Sequence, residues 1–132
     1  MTPAVCDASV VTAWYVDEHW SLAARRLQAG PVPLLAPTIL LAEVGNALLT
    51  RLRRGEPDPP GHPEASLAAL RAGNITFTPD PDLLDSAIAI ARRLGHPIYD
   101  CFYLALCRRA EAMLATFDAR LARYATTLAI PL

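Results

Sequence analysis

The sequence predicts an α/β fold, in which helices flank a mainly parallel sheet to form an α/β sandwich. Short apolar or β-branched segments alternate with helical segments along the whole chain, and this alternation favours parallel strands joined by helices. The chain has 132 residues, of which 53% are hydrophobic. That length and composition suit one compact domain over residues 1–132 with a core of its own.

Two strands and three helices are predicted in the N-terminal part of the chain. Residues 4–6 form an apolar run that ends at an acid, which is typical of a short buried strand. Residues 9–15 predict a short helix, and residues 20–29 predict a second because their apolar side chains recur at helical spacing before a Gly-Pro pair. Residues 34–36 predict a brief strand, and the helix that follows extends over about 39–54, with a threonine at its N-cap.

Prolines and β-branched residues divide the middle of the chain. Residues 55–63 contain four prolines and predict an irregular loop of unknown role. Residues 64–72 predict a helix, and the Ile-Thr-Phe-Thr sequence at 75–78 predicts a strand. Residues 80–94 predict a strongly periodic helix that ends at a glycine.

Two helices and two strands are predicted in the C-terminal part. A helix begins at Tyr99 or Asp100 and ends at about residue 111. Residues 113–117 predict a strand that stops at an acid, residues 120–124 a short helix, and residues 127–130 a last strand.

Charge and cysteine content exclude several classes of protein. Twelve arginines, no lysines and 13 acids give a formal net charge of −1, which excludes a strongly basic coat for nucleic acid. The three cysteines form no CxxC pair and are predicted to be buried thiols in a reducing cytoplasm. We find no signal peptide and no clean apolar stretch of membrane-spanning length, so no membrane association is expected.

Four acids occupy positions that general folding rules do not favour. Asp7 and Asp118 directly follow predicted strands, at the sheet edge where α/β proteins collect function. Glu43 and Asp100 interrupt apolar helical sequence. Taken singly, each aspartate could be a helix cap, and Glu43 could form a salt bridge with an arginine.

A shared position for these four acids would require a cation. Converging carboxylates raise each other's pKa unless a positive ion lies between them, and a site with only oxygen ligands selects Mg²⁺ or Mn²⁺. Such an ion binds and polarises a phosphate and activates a water for attack. The sequence contains no GxxxxGK, GxGxxG, GxSxG or HExxH motif that would supply different chemistry.

Four segments surround these acids: Val5-Cys6-Asp7-Ala8-Ser9, Leu41-Ala42-Glu43-Val44-Gly45-Asn46-Ala47-Leu48, Ile98-Tyr99-Asp100-Cys101-Phe102-Tyr103-Leu104-Ala105-Leu106 and Ala115-Thr116-Phe117-Asp118. They resemble the signature segments of the PIN-domain family, and the short chain resembles its VapC subgroup of toxin ribonucleases. The segments occur in the family's order, and the resemblance covers nearly the whole chain.

The resemblance implies a three-layer α/β/α sandwich and an Mg²⁺- or Mn²⁺-dependent endoribonuclease that hydrolyses RNA with a metal-activated water. It also implies a homodimer and a cognate VapB-type antitoxin of a type II toxin–antitoxin pair. Asp7, Glu43, Asp100 and Asp118 match the acidic quartet, as catalytic and metal-binding residues. The proline-rich 55–63 segment departs from the family pattern.

Smaller polar side chains extend this predicted site. Ser9 and Thr116 match the hydroxyl positions beside the acids and are expected to orient them by hydrogen bonds, and Asn46 lies one helical turn after Glu43. The candidates for contacts with substrate phosphate are Arg120, Arg53 and Arg54. The last two could instead complement the helix dipole.

Two other functions remain open from the sequence. The same fold could be a catalytically inactive module that binds a partner protein. The same acids could also serve a metal-dependent DNA nuclease or phosphatase.

Overall fold

The computed structural model describes residues 1–56 and 62–132, and its centre is a parallel sheet of four strands with the order β3-β2-β1-β4. Those strands are β1 (Ala4–Cys6), β2 (Leu34–Pro37), β3 (Ile75–Thr78) and β4 (Met113–Ala115). The helices described around it are α1 (Ala8–Tyr15), α2 (Ser21–Ala29), α3 (Ile39–Arg53), α4 (His62–Ala72), α5 (Asp80–Leu94), α6 (Ile98–Ala110) and α7 (Ala119–Thr127). The predicted α/β sandwich with a parallel sheet is confirmed.

The strand order places two of the acid-bearing turns side by side. β1 lies between β2 and β4, with Ala4 opposite both Leu34 and Met113. The Asp7 amide donates to the Ala115 carbonyl at 3.2 Å, so β1 and β4 stay paired to the end of β1. Because both strands run in the same direction, their carboxyl ends open at one edge of the sheet.

Helix α6 contains a continuous run of buried residues. Every residue from Cys101 to Cys107 is buried, and the helix packs against β1, β2 and β4 on one side and against α5 on the other. Cys6, Cys101 and Cys107 are all buried thiols outside any disulfide, as predicted. In the described part of the chain no helix combines the length and apolar character needed to cross a membrane.

The predicted last strand over 127–130 is wrong. Thr127 ends α7, Ala129 adopts a left-handed φ of 59°, and the Ile130 amide turns back to the Ala125 carbonyl at 2.8 Å. Ile130 is buried by this helix-ending turn rather than by strand pairing, so its β-branched side chain did not indicate a strand. The Pro131 carbonyl reaches β4, accepting from the Leu114 amide at 2.8 Å.

The predicted loop over 55–63 is too long at its C-terminal end. His62 and Pro63 belong to α4, where a proline in the first turn costs no hydrogen bond because its missing N–H has no partner there. The rest of that predicted loop, residues 57–61, lies outside the described residues. Gly55 and Glu56 follow the end of α3 outside any helix or strand.

The beginnings of α3 and α5 are joined by an exchange of capping groups. Thr38 precedes α3 as predicted, but its hydroxyl does not cap its own helix. Instead, Thr38 Oγ1 accepts from the Asp80 amide at 3.0 Å, while Asp80 Oδ1 accepts from the Ile39 amide at 2.9 Å. Each residue therefore satisfies an amide at the start of the other's helix.

Candidate active site

Asp7 lies at the end of β1 and caps α1, and it is the most enclosed of the four acids, with 5% of its surface exposed. Its Oδ1 accepts from the Ser9 hydroxyl at 2.6 Å and from the Val10 amide at 3.2 Å. Its Oδ2 accepts from the Thr116 hydroxyl. Three donors occupy three of about four lone-pair positions, so one acceptor position of Oδ2 remains for another ligand.

The environment of Asp7 opposes its negative charge. Burial raises the pKa of the carboxyl group most, and the negative charge of Asp118 raises it further. The hydrogen bonds from Ser9, Thr116 and Val10 act in the opposite direction, but the pKa stays above its usual value. The interpretation of Asp7 as a helix cap is confirmed, and the same carboxyl group feels the negative charge of Asp118.

Glu43 occupies the second turn of α3, half-buried, and its Oε1 accepts a hydrogen bond from the Tyr103 hydroxyl on α6. Burial raises the pKa of Glu43 most. The Tyr103 bond lowers this pKa, while Asp100, Asp7 and then Asp80 raise it. Burial and the Glu43 charge raise the pKa of Tyr103 in turn, so its hydroxyl keeps its proton and remains a donor.

Asp100 lies in the first turn of α6 and is held by a histidine. Asp100 Oδ2 lies 2.9 Å from His96 Nε2, and His96 Nδ1 lies 3.2 Å from the Tyr124 hydroxyl on α7. The His96 and Tyr124 rings also pack against each other, with centroids 4.7 Å apart. His96 thus bridges α7 to the acid at the start of α6 and restricts the orientation of that acid.

Asp118 follows β4 and is exposed, and its Oδ1 caps α7 by accepting from the Arg120 and Leu121 amides at 2.8 and 3.2 Å. Its own amide donates to Thr116 Oγ1 at 2.9 Å. Thr116 therefore connects Asp118 to Asp7 through a single hydroxyl group. This is the orienting role that the sequence predicts for Thr116.

The negative charges of the four acids act on one another in pairs, and in the described part of the chain none of the four forms an ion pair with an arginine. The charge of Asp118 acts on Asp7, and the charges of Asp7 and Asp100 act on Glu43. Within residues 1–56 and 62–132, the arginine ion pairs are those of Arg25 with Asp17 and of Arg51 with Glu18 and Glu56. The alternative of a salt bridge between Glu43 and an arginine is therefore not found in the described chain.

The other predicted site residues divide into near and distant ones. Asn46 and Glu43 line one depression of about 350 Å³, together with Tyr99. Arg120 is the second residue of α7 and lies in the chain two residues after Asp118. Arg53 and Arg54 lie at the opposite end of α3, and ten residues of helix separate Arg53 from Glu43 by roughly 15 Å. The structure does not bring those two arginines to the acids.

The match to known proteins agrees with this arrangement of sheet and acids. The profile of the PIN domain matches residues 4–126. The chain belongs to the PIN-domain family. Ribonuclease VapC3 of Pyrobaculum aerophilum is 30% identical over 130 residues, covering 96% of this chain and 98% of that protein.

Two solved structures share the PIN fold of this chain. The Mycobacterium tuberculosis VapC20, a toxin that cleaves the sarcin-ricin loop, has a TM-score of 0.74 at 20% identity and covers 91% of this chain and 93% of its own. A Pyrobaculum aerophilum protein has a TM-score of 0.71 at 22% identity and covers 93% of this chain and 79% of its own.

PIN nucleases generally use a divalent metal ion, and the donor set of this PIN domain suits one. The ligands on offer are carboxylate oxygens, which hard divalent cations prefer. The described residues contain no group of three His, Cys, Asp or Glu side chains already arranged to hold an ion. The negative charges of neighbouring acids of this PIN domain raise one another's pKa, but no three acids of the described residues lie in an arrangement that could hold an ion.

The sequence analysis did not identify Tyr103, Tyr124 or His96 as residues of the site. A buried tyrosine in an apolar helix requires a partner for its hydroxyl, and this is the one signal that Tyr103 carries. Glu43 is 60 residues away along the chain, so only the fold shows that this partner is an acid of the site. His96, one helical turn before Asp100, carries a spacing clue that could have identified it.

Proposed function

We propose that this PIN domain is an Mg²⁺- or Mn²⁺-dependent endoribonuclease and the toxin of a VapB–VapC type pair. The observation that carries the proposal is that the negative charges of Asp7 and Asp100 both raise the pKa of Glu43, although the three acids come from different parts of the chain. The proposal is supported by the relative named Ribonuclease VapC3, which matches over nearly the full length of this chain.

Neighbouring donors fix each acid of the proposed catalytic site before any substrate arrives. Ser9, Val10 and Thr116 hold Asp7, while Tyr103 holds one oxygen of Glu43. Donors that orient metal-binding carboxylates in this way sharpen both metal affinity and activity. When bound among these carboxylates, a divalent cation would polarise a substrate phosphate and activate the attacking water.

The decisive assay measures cleavage of single-stranded RNA by the purified protein. We expect EDTA to stop cleavage and Mn²⁺ or Mg²⁺ to restore it. Asp7→Asn should abolish cleavage because the substituted amide loses the negative charge and one acceptor oxygen. Asp85→Asn removes an exposed acid of α5 and serves as the matched control with full activity. Normal cleavage by Asp7→Asn, or cleavage that resists EDTA, would refute the assignment.

The same assay separates the remaining functions. Matched RNA, DNA and phosphomonoester substrates distinguish a ribonuclease from a DNA nuclease or a phosphatase. Binding of Mn²⁺ without cleavage of any of these substrates would favour an inactive interaction module.

The proposed partners are RNA, a VapB-type antitoxin and a second copy of this chain in the cytoplasm. Leu84 and Ile88 support the homodimer, because they are spaced four residues apart on α5 and stay exposed. The core face of α5 is formed by Leu83, Ala87 and Ile90, so Leu84 and Ile88 lie outside it. An exposed apolar pair suits an interface between two copies of the chain. Light scattering measures the molar mass in solution and so distinguishes the dimer from the monomer.

A further inference from the structure

A stack of aromatic rings lies beside the acids and takes no part in holding them. The Trp20 indole is nearly parallel to the Phe117 ring, with centroids 5.0 Å apart and planes inclined by 13°. The His19 ring meets Trp20 edge-on, with centroids 4.5 Å apart. Trp20 remains 48% exposed, although two rings pack against it.

The other tryptophan of the chain, Trp14, is a buried structural residue and provides a comparison for Trp20. Trp14 is only 7% exposed, and its Nε1 donates to the Ala24 carbonyl at 2.8 Å. Trp20 instead precedes α2 at the surface, and contact with Phe117 sets the orientation of its ring. A large flat side chain that is oriented but not buried is ready to receive another flat group at little entropic cost.

The position of Phe117 ties this stack to the acidic site. Phe117 lies between Thr116, which donates to Asp7, and Asp118. Its amide donates to the Ser9 hydroxyl at 2.9 Å, and that same hydroxyl donates to Asp7. The ring that supports Trp20 therefore belongs to the short segment that also orients two of the four acids.

We propose that Trp20, supported by Phe117 and flanked by His19, is a stacking platform for an unpaired nucleobase next to the cleaved phosphodiester. This inference rests on the proposed function, since it assigns the platform to the RNA substrate of the same site. Bases stack on aromatic side chains whatever their identity, whereas the bases of a duplex present no open face. Stacking also adds affinity for RNA, which matters for a chain whose net charge of −1 gives no general attraction to phosphate.

The test measures binding of a fluorescein-labelled short single-stranded RNA to the full chain by anisotropy, with EDTA present so that the RNA stays intact. Trp20→Ala should weaken binding about 5-fold or more, the loss expected for one base stack, while Trp20→Tyr should retain most of the affinity. Leu22→Ala is the matched control, because Leu22 is an apolar side chain of α2 that is 64% exposed. Its binding should equal that of the wild-type chain.

A second measurement varies the RNA, and its first comparison uses only the wild-type chain, so that comparison does not depend on the folding of a variant. A set of RNAs is prepared, each with an abasic nucleotide at a different position. The wild-type chain should bind all of them normally except the one whose abasic position is the nucleotide that stacks on Trp20. Trp20→Ala should bind that RNA as well as the wild-type chain does. RNA should also quench the fluorescence of exposed Trp20 in the wild-type chain.

The outcomes distinguish this inference from the proposed function. A wild-type chain that neither binds nor cuts RNA overturns both. A wild-type chain that cuts RNA, with Trp20→Ala binding equally well and no sensitive abasic position, overturns the platform alone. That last result would leave the aromatic surface to a protein partner.

Discussion

Replacing Asp7 by asparagine should stabilise the metal-free protein at neutral pH while abolishing its proposed activity. The carboxyl pKa of Asp7 is raised by burial and by Asp118, so the folded state holds the charged form at a cost that the unfolded chain does not have. Asparagine removes the charge but keeps an Oδ1 that accepts from Ser9 and Val10. Thr116 must redirect its proton, which costs about 1 kcal/mol.

The free energy of unfolding of the wild-type chain should depend on pH in a direction that follows from the raised pKa of Asp7. Because the folded pKa lies above the unfolded one, the native wild-type chain binds more protons in the window between them. Its free energy of unfolding therefore falls as pH rises through that window, by up to about 1.4 kcal/mol per pH unit for one proton. The asparagine side chain does not titrate, so the free energy of unfolding of the variant lacks this decrease with pH. It should be less stable than wild type at acid pH and more stable at neutral pH.

Thermal unfolding in EDTA, followed by circular dichroism across this pH range, measures the crossing. For a domain of this size, about 1 kcal/mol corresponds to roughly 4 °C in Tm. Asp85→Asn, which removes an exposed acid of α5, should follow the wild-type profile at every pH. Profiles of Asp7→Asn and wild type that run parallel, without crossing, would refute the argument that the buried charge destabilises the fold.

Two further substitutions test the contacts around the site. Tyr103→Phe keeps the buried ring but removes the donor to Glu43, so Mn²⁺ affinity measured by calorimetry should fall about 10- to 100-fold. An unchanged affinity would show that this bond does not orient the acid. Asp80→Ala removes the acceptor for the Ile39 amide and should lower the free energy of unfolding by about 1 kcal/mol. Asp80→Asn keeps an acceptor oxygen and should restore most of the lost stability, and equal losses in both variants would contradict this role.

The order of the elements could be predicted because the apolar pattern alone determines it. The sequence predicts β1 to end before Asp7 and α5 to span residues 80–94, and both are found. The errors occur where a local preference competes with a tertiary contact. Ile130 favours a strand by its shape, but it is buried by a helix-ending turn. β4 ends two residues before the predicted end because Thr116 and Phe117 bond to Asp7 and Ser9 instead of a neighbouring strand.

The acids of the site could be predicted, whereas the residues that hold them could not. Asp7 and Glu43 stand out in the sequence because a carboxylate after a buried strand or within an apolar helix needs an explanation. Their partners carry no such mark. The Thr116 hydroxyl lies 109 residues from Asp7 along the chain, and only the resemblance to a known family suggested that contact.

The hydrogen bonds of the site explain how a fold tolerates acids that it does not neutralise. Tyr103 and His96 each contact one oxygen of an acid, Glu43 and Asp100 respectively, and leave the other oxygen of each without a donor in the described chain. The Tyr103 bond fixes the position of the Glu43 carboxylate without offsetting the cost of its burial, since the pKa of Glu43 stays raised despite this donor. The buried charges of Asp7 and Glu43 therefore lower the free energy of unfolding of the metal-free protein. A cation that binds only the folded chain lowers that cost, so metal binding and folding stability must rise together.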